Sequence, residues 1–214
     1  MGSQSNPWIE SSDALPVFPT LVWKLQLKPE RRAAMDAKIL AVLGQMRRQA
    51  APLAPGEGWQ SGRELHRREE FREFVECVES ATRGILRFLR IGYERFEITG
   101  CWANVLPPHA AHRAHSHPNN FLSGVYYLRT PARANTINFH DPRIQSGIIR
   151  PPVVELTGEN TDQVVVRVKP GMLLMFPAYL QHSVDANASG EERISVSFNV
   201  MFSAFTENLS RPLW

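Results

Sequence analysis

Cysteine is nearly absent from the chain: Cys77 and Cys101 are the only two in 214 residues. Two are too few for a disulfide framework and are not spaced as a zinc or redox pair, so both read as core or near-core thiols. Long apolar runs are missing as well. The longest, Gly171 to Leu180, is about half of what a bilayer span needs and is broken by Pro177, which excludes a transmembrane helix. The first basic residue is Lys24, and Pro7, Pro16 and Pro19 punctuate the opening segment, so the charged start and apolar run of a secretory signal are lacking. A cytoplasmic location is therefore expected. Charge of one sign does not dominate either, because 24 basic residues against 21 acidic ones leave a net +3. Lysine itself is scarce. Arginine supplies 20 of the 24 basic side chains, a bias that suits carboxylate or phosphate ligands.

With 43% hydrophobic and 21% charged residues, the composition is that of a globular protein with a real core. The length fits one domain, 1–214, whose pattern changes near residue 95. Residues 1–94 predict a short strand, Leu21–Leu27, and two helices. The first begins at Pro29 and carries Met35, Ile39, Val42, Leu43 and Met46 at spacings of three and four. A Pro- and Gly-rich stretch, Pro52 to Gly62, ends it. The second spans about Glu69 to Leu89, with Phe71, Phe74, Val75, Val78, Ala81, Ile85, Phe88 and Leu89 on one face. Residues 95–214 predict strands at Phe96–Val105, Ala114–His117, Leu122–Arg129, Thr136–His140, Gln163–Val168, Met172–Phe176, His182–Val184 and Arg193–Phe202. Strands of that number and length close a small barrel or sandwich. The helices and the Pro142–Asp162 connection are expected to frame its mouth.

Five of the seven histidines fall between His109 and His140. His115 and His117, two apart on a strand, would point to one side and converge on a metal, with His182 as a third ligand from another strand. His66, His109 and His112 are assigned no ligand role, and His140 is left open. In Arg193–Val200, the polar residues Arg193, Ser195, Ser197 and Asn199 alternate with Ile194, Val196, Phe198 and Val200. Two orientations are open. A polar face toward solvent makes an ordinary surface strand, whereas a polar face toward the interior buries a guanidinium that then requires an anionic partner.

Several segments together resemble the 2-oxoglutarate and Fe(II) dependent dioxygenases: Val17–Thr20, Trp102-Ala-Asn104, His115-Ser-His117-Pro, Leu122-Ser-Gly-Val-Tyr-Tyr-Leu128, Ile137–Arg143, Pro170–Pro177 with His182, and Arg193–Asn199. Within that superfamily the likeness is to a bacterial and phage group largely without assigned substrates. The resemblance implies a mainly β fold with N-terminal helices: a double-stranded β-helix, the jelly-roll, cupin-like barrel. It implies Fe(II) and the cosubstrate 2-oxoglutarate, His182 as the distal metal ligand, and Arg193 on the distal carboxylate with Ser195 and Asn104 beside the cosubstrate. His117 stands where the superfamily usually has a carboxylate. The third ligand is thus His117 or, alternatively, Asp141, whose Asp-Pro-Arg setting also makes a local turn.

A cupin shares the His-x-His and distal His but would often place a Glu three or four residues after the pair, where Asn120 and Phe121 stand here. A non-catalytic module, nucleic-acid associated through Arg31-Arg32, Arg47-Arg48 and Arg67-Arg68, lacks the interleaved aromatics of a single-strand groove. The expected partner is a small molecule or an amino-acid or peptide side chain, with no membrane and no nucleic acid, and a homodimer is open. Arg143 could meet an acidic substrate. Tyr126 and Tyr127 face opposite sides of their strand, and the pattern leaves open which one meets the cavity.

Overall fold

In the computed structural model, residues 8–54, 56–143, 148 and 151–206 are described. Strand β1 (Trp23–Gln26) leads into helix α1 (Pro29–Arg48). Lys28, in front of a proline, is held extended, Pro29 and Glu30 occupy the first turn, and Arg47 and Arg48 sit at the negative end of the helix dipole. Helix α1 buries Met35, Ile39, Val42 and Leu43, the expected stripe, together with Asp36, which the spacing did not mark. Asp36 is no orphan: Arg32 pairs with it, and the Tyr126 hydroxyl donates to its Oδ1 at 2.7 Å.

After the short strand β2 (Trp59–Gln60) come two 3-10 turns, Leu65–Arg67 and Glu69–Phe71, and then α2 (Arg72–Phe88). The second helix therefore begins three residues later than its apolar spacing suggests, because Phe71 plugs the core from a turn. Phe88 is exposed at the end of α2, where its ring meets Trp23 edge-on. Thr82 takes an interior place instead and satisfies its hydroxyl on the Val78 carbonyl at 2.8 Å.

The remaining strands are β3 (Phe96–Leu106), β4 (His112–His115), β5 (Leu122–Arg129), β6 (Thr136–His140), β7 (Gln163–Arg167), β8 (Met172–Pro177), β9 (His182–Val184) and β10 (Arg193–Phe202), followed by the short helix α3 (Ser203–Thr206). They form two antiparallel sheets, ordered β1-β8-β5-β10-β3-β2 and β4-β9-β6-β7. This is the expected jelly roll. Alternation assigns each residue of the larger sheet to one side. Leu122, Tyr126, Leu128, Leu173, Met175, Val196 and Phe198 join α1 and α2 in one apolar cluster, while Val125, Tyr127, Leu174 and Phe176 join Ile137, Phe139 and Val184 of the smaller sheet in another.

The helices thus cover the back of the larger sheet and do not frame the barrel mouth. Their apolar stripes pack on the apolar back face of that sheet, and none of their residues lines the cavity. Part of the Pro142–Asp162 connection lies outside the described residues. Gly124 shows why its motif contains a glycine: a Cβ there would lie 2.2 Å from Cζ of the buried Phe198, its partner across β5 and β10.

Candidate metal and cosubstrate site

Strand β4 occupies His112–His115 rather than the expected Ala114–His117, so His117 lies beyond the strand. Pro118 has no N–H for the ladder, and the chain turns away before it; the His117 N–H instead donates to the Ala178 carbonyl at 2.9 Å. Asn119, at φ 62°, takes the left-handed turn that asparagine tolerates. His115 pairs directly with His182 across β4 and β9. The expected convergence is observed, by a different route: two facing strand residues and one loop residue, not two neighbours on one strand.

The rings of His115 and His182 are 4.4 Å apart, those of His115 and His117 5.0 Å, and those of His117 and His182 5.2 Å. Nitrogens of all three lie within 4.8 Å of one another. Two of the rings are oriented from behind. His115 Nδ1 lies 2.8 Å from the Arg113 carbonyl and His182 Nδ1 3.0 Å from the Leu180 carbonyl. A carbonyl can only accept, so Nδ1 carries the proton in each ring and Nε2 presents its lone pair, the tautomer a metal requires. Burial lowers the pKa of His117 to about 3 and that of His182 to about 4, with the neighbouring histidines adding to the effect. Both are neutral at physiological pH and hold no proton that a metal must displace.

Asp141 stays outside this group. Its carboxylate accepts from the Arg143 backbone N–H at 2.9 Å and from the Arg143 guanidinium at 2.7–3.2 Å, the local turn that Asp-Pro-Arg permits. Arg143 is engaged by the same contact. His140 meets the Ser183 hydroxyl at 2.9 Å, and His66 lies in a 3-10 turn away from the three.

The histidines open onto a cavity of about 730 Å³ between the sheets. Arg193, Ser195, Ser197 and Asn199 all line it, so the polar face of β10 looks inward. Arg193 is only 2% exposed. Its Nη2 reaches the Thr136 carbonyl at 3.3 Å, its Nε has no partner, and its guanidinium carbon lies 5.2 Å from the centre of the Tyr127 ring. Asn104 also lines the cavity and donates to Ser197 Oγ at 3.0 Å.

Tyr127 settles the question left open by the two tyrosines, since Tyr126 faces the helices and Tyr127 the cavity. Its hydroxyl is buried without a hydrogen-bond partner, and burial raises its pKa to about 12. His112, given no role from sequence, also lines the cavity; burial, then Arg193, lowers its pKa to about 4.

A buried guanidinium without a carboxylate, next to an unsatisfied phenol, calls for an anion of the size of a carboxylate. A trio of neutral imidazoles in the same cavity calls for a transition metal. Jelly roll, histidine trio and buried arginine together suit a metal site beside an acidic organic ligand.

Residues 100–199 match the family described as "Putative 2OG-Fe(II) oxygenase". The match spans just under half of the chain, within its jelly-roll segment, and indicates an oxygenase dependent on Fe(II) and 2-oxoglutarate. Solved structures share the fold at low identity. A Pseudomonas putida prolyl-4-hydroxylase has a TM-score of 0.59 at 15% identity, covering 86% of this chain and 93% of its own. The α-ketoglutarate dependent carbocyclase SnoK from nogalamycin biosynthesis has a TM-score of 0.63 at 14% identity, covering 86% and 80%. HygX from Streptomyces hygroscopicus, solved with nickel and 2-oxoglutarate, has a TM-score of 0.58 at 9% identity, covering 86% and 83%. A search of curated proteins gives no match.

Proposed function

We propose that His115, His117 and His182 hold the Fe(II) of this oxygenase, and that Arg193 receives the distal carboxylate of 2-oxoglutarate, with Tyr127 and Ser195 beside it. The observation that carries this reading is the unpaired, buried Arg193 facing the same cavity as the three histidines. When bound, the metal supplies the oxidising chemistry, in which O₂ and 2-oxoglutarate yield succinate, CO₂ and a hydroxylated substrate.

The chain's own residues have simpler tasks. Arg193 offers a rigid fork of N–H donors, which orients a carboxylate more selectively than an ammonium would. The Tyr127 hydroxyl donates its proton to the same group, keeping it because burial disfavours the phenolate. The Arg113 and Leu180 carbonyls keep the lone pairs of His115 and His182 turned to the metal. Val125, Ile137, Phe176 and Val184 line the cavity and limit the access of water. A cupin-type metal enzyme acting on a neutral substrate would have no use for Arg193.

The substrate is read as a small molecule or an amino-acid or peptide side chain. The location is read as cytoplasmic, in keeping with the free thiols Cys77 and Cys101. The test is succinate release from 2-oxoglutarate in air with added Fe(II). Wild type should show it and His115→Ala should not; no release above the metal-only background in wild type would count against the reading.

A further inference from the structure

We infer that the primary substrate carries a carboxylate or phosphate group and that Arg63, seated on the face of Trp102, selects it. The inference rests on the reading of the cavity as a metal and 2-oxoglutarate site. It begins from the balance of charge. Among the described residues no Asp or Glu lines the cavity, whereas Arg63, Arg113 and Arg193 all do. Three neutral imidazoles leave a bound divalent metal its full double charge, unlike a ligand set that includes a carboxylate. The two carboxylates of 2-oxoglutarate cancel only two of the five positive charges that metal and guanidiniums bring. A cavity with three positive charges left over attracts an anion and disfavours a cation.

With Arg193 assigned to 2-oxoglutarate, Arg63 and Arg113 remain, and of these Arg63 is the one stacked on an aromatic ring. It stands in a basic stretch whose other members are occupied: Arg67 with Glu64 at 2.8 Å, Arg68 with Glu70 at 3.0 Å and Arg72 with Glu69 at 3.5 Å. Among the described residues, none forms an ion pair with Arg63. Its guanidinium carbon lies 5.3 Å from the centre of the Trp102 ring, and that ring in turn lies 5.7 Å from His117. A stacked guanidinium is held in place and still offers its N–H edge.

The backbone beneath Arg63 is also fixed. The Cys101 N–H donates to the Arg63 carbonyl at 2.8 Å, and Ser61 binds Ala103 of β3 through both its backbone and its hydroxyl. Arg63 is thus a preorganised anion site one aromatic ring away from the metal ligands. The pairing of Arg67, Arg68 and Arg72 leaves Arg63 free within its stretch and no basic stripe there, which suits a small acidic group better than a polyanion.

The experiment uses the full chain loaded with zinc, which supports binding but no turnover, and saturated with 2-oxoglutarate. The probes are N-acetylglycine, methyl phosphate and the uncharged N-acetylglycinamide, titrated by calorimetry. Wild type should bind one of the two acids at least tenfold more tightly than the amide, and which acid gains distinguishes a carboxylate from a phosphate. Arg63→Ala should lose that preference and Arg63→Lys retain part of it. Arg83→Ala, which breaks only the exposed pair with Glu79, should keep all of it. Equal binding of acids and amide by the wild-type complex, or a preference that survives Arg63→Ala, would overturn the inference. Failure of 2-oxoglutarate itself to bind the zinc-loaded wild type would overturn the metal and cosubstrate reading beneath it.

Discussion

Replacing Arg193 should move stability and cosubstrate binding in opposite directions. The wild-type guanidinium is 2% exposed and its protein hydrogen bond is a 3.3 Å contact from Nη2 to Thr136. A charge so placed costs the empty protein free energy that only an anion recovers. Methionine at this position fills a similar volume without the charge. By analogy with other buried ionic groups replaced by apolar ones, the gain is about 1–4 kcal/mol, and each kcal/mol raises the melting temperature of a chain this long by about 2–4 °C.

Zinc-loaded Arg193→Met should therefore melt above wild type when 2-oxoglutarate is absent. Truncating one partner of a buried charge pair costs about 2–5 kcal/mol of binding, at least about 30-fold in affinity. Saturating 2-oxoglutarate, at about 100 times its dissociation constant, stabilises wild type by about 2.7 kcal/mol and the more weakly binding variant by less than about 1 kcal/mol. The variant's lead should then shrink by about 2 kcal/mol or more, and the two melting curves change order where the gain from methionine is smaller than that. Arg193→Lys keeps the charge but loses the fork, and should weaken binding by about 1.5–3 kcal/mol. Differential scanning calorimetry and titration calorimetry read the two effects. An Arg193→Met protein that binds 2-oxoglutarate within twofold of wild type would refute the argument, as would one that melts lower by the same amount with and without it.

Three further outcomes are expected. His182→Ala should lose tight binding of iron or zinc, whereas His66→Ala and Asp141→Ala should keep it; equal metal content in all three would sink the ligand set. Gly124→Ala would drive a Cβ into Phe198, and overpacking of this kind costs about 1–3 kcal/mol, read as a lower urea midpoint. In the metal-free protein the folded pKa values of His112, His117 and His182, about 3 to 4, lie below the unfolded value of 6.5. The unfolded chain then takes up more protons, so these groups make stability fall as pH drops from about 6.5 toward 4 and contribute no pH dependence above it. His112→Asn should make that fall shallower, and an unchanged slope in urea titrations at pH 6.5 and 4.5 would contradict the assignment.

What the sequence conveyed depended on whether a signal was local. The alternation in Arg193–Val200 and the spacing of His115 and His117 are local, and both survive in the structure. His117 reaches the site from a loop because Pro118 cannot extend the ladder, a detail that period-two reasoning on a strand misses. Neighbouring tyrosines at 126 and 127 are equivalent until the helices choose one sheet face, and that choice is a long-range packing event. Arg63 was equally illegible. Its place beside Trp102 depends on the strap from Ser61 to Glu64 pairing with β3, nearly forty residues onward in the chain. His112 carries no ligand role in the sequence pattern, and only the closing of the two sheets brings it near Arg193.

One cavity that binds metal through His115, His117 and His182 and 2-oxoglutarate through Arg193 should give an optical signal that neither ligand gives alone. Anaerobic titration of 2-oxoglutarate into the Fe(II)-loaded chain, followed by visible absorbance, should produce a weak charge-transfer band that requires both Fe(II) and 2-oxoglutarate, is absent in His182→Ala and needs much higher 2-oxoglutarate in Arg193→Lys; a wild-type protein that binds iron and shows no such band at saturating 2-oxoglutarate would refute the shared site.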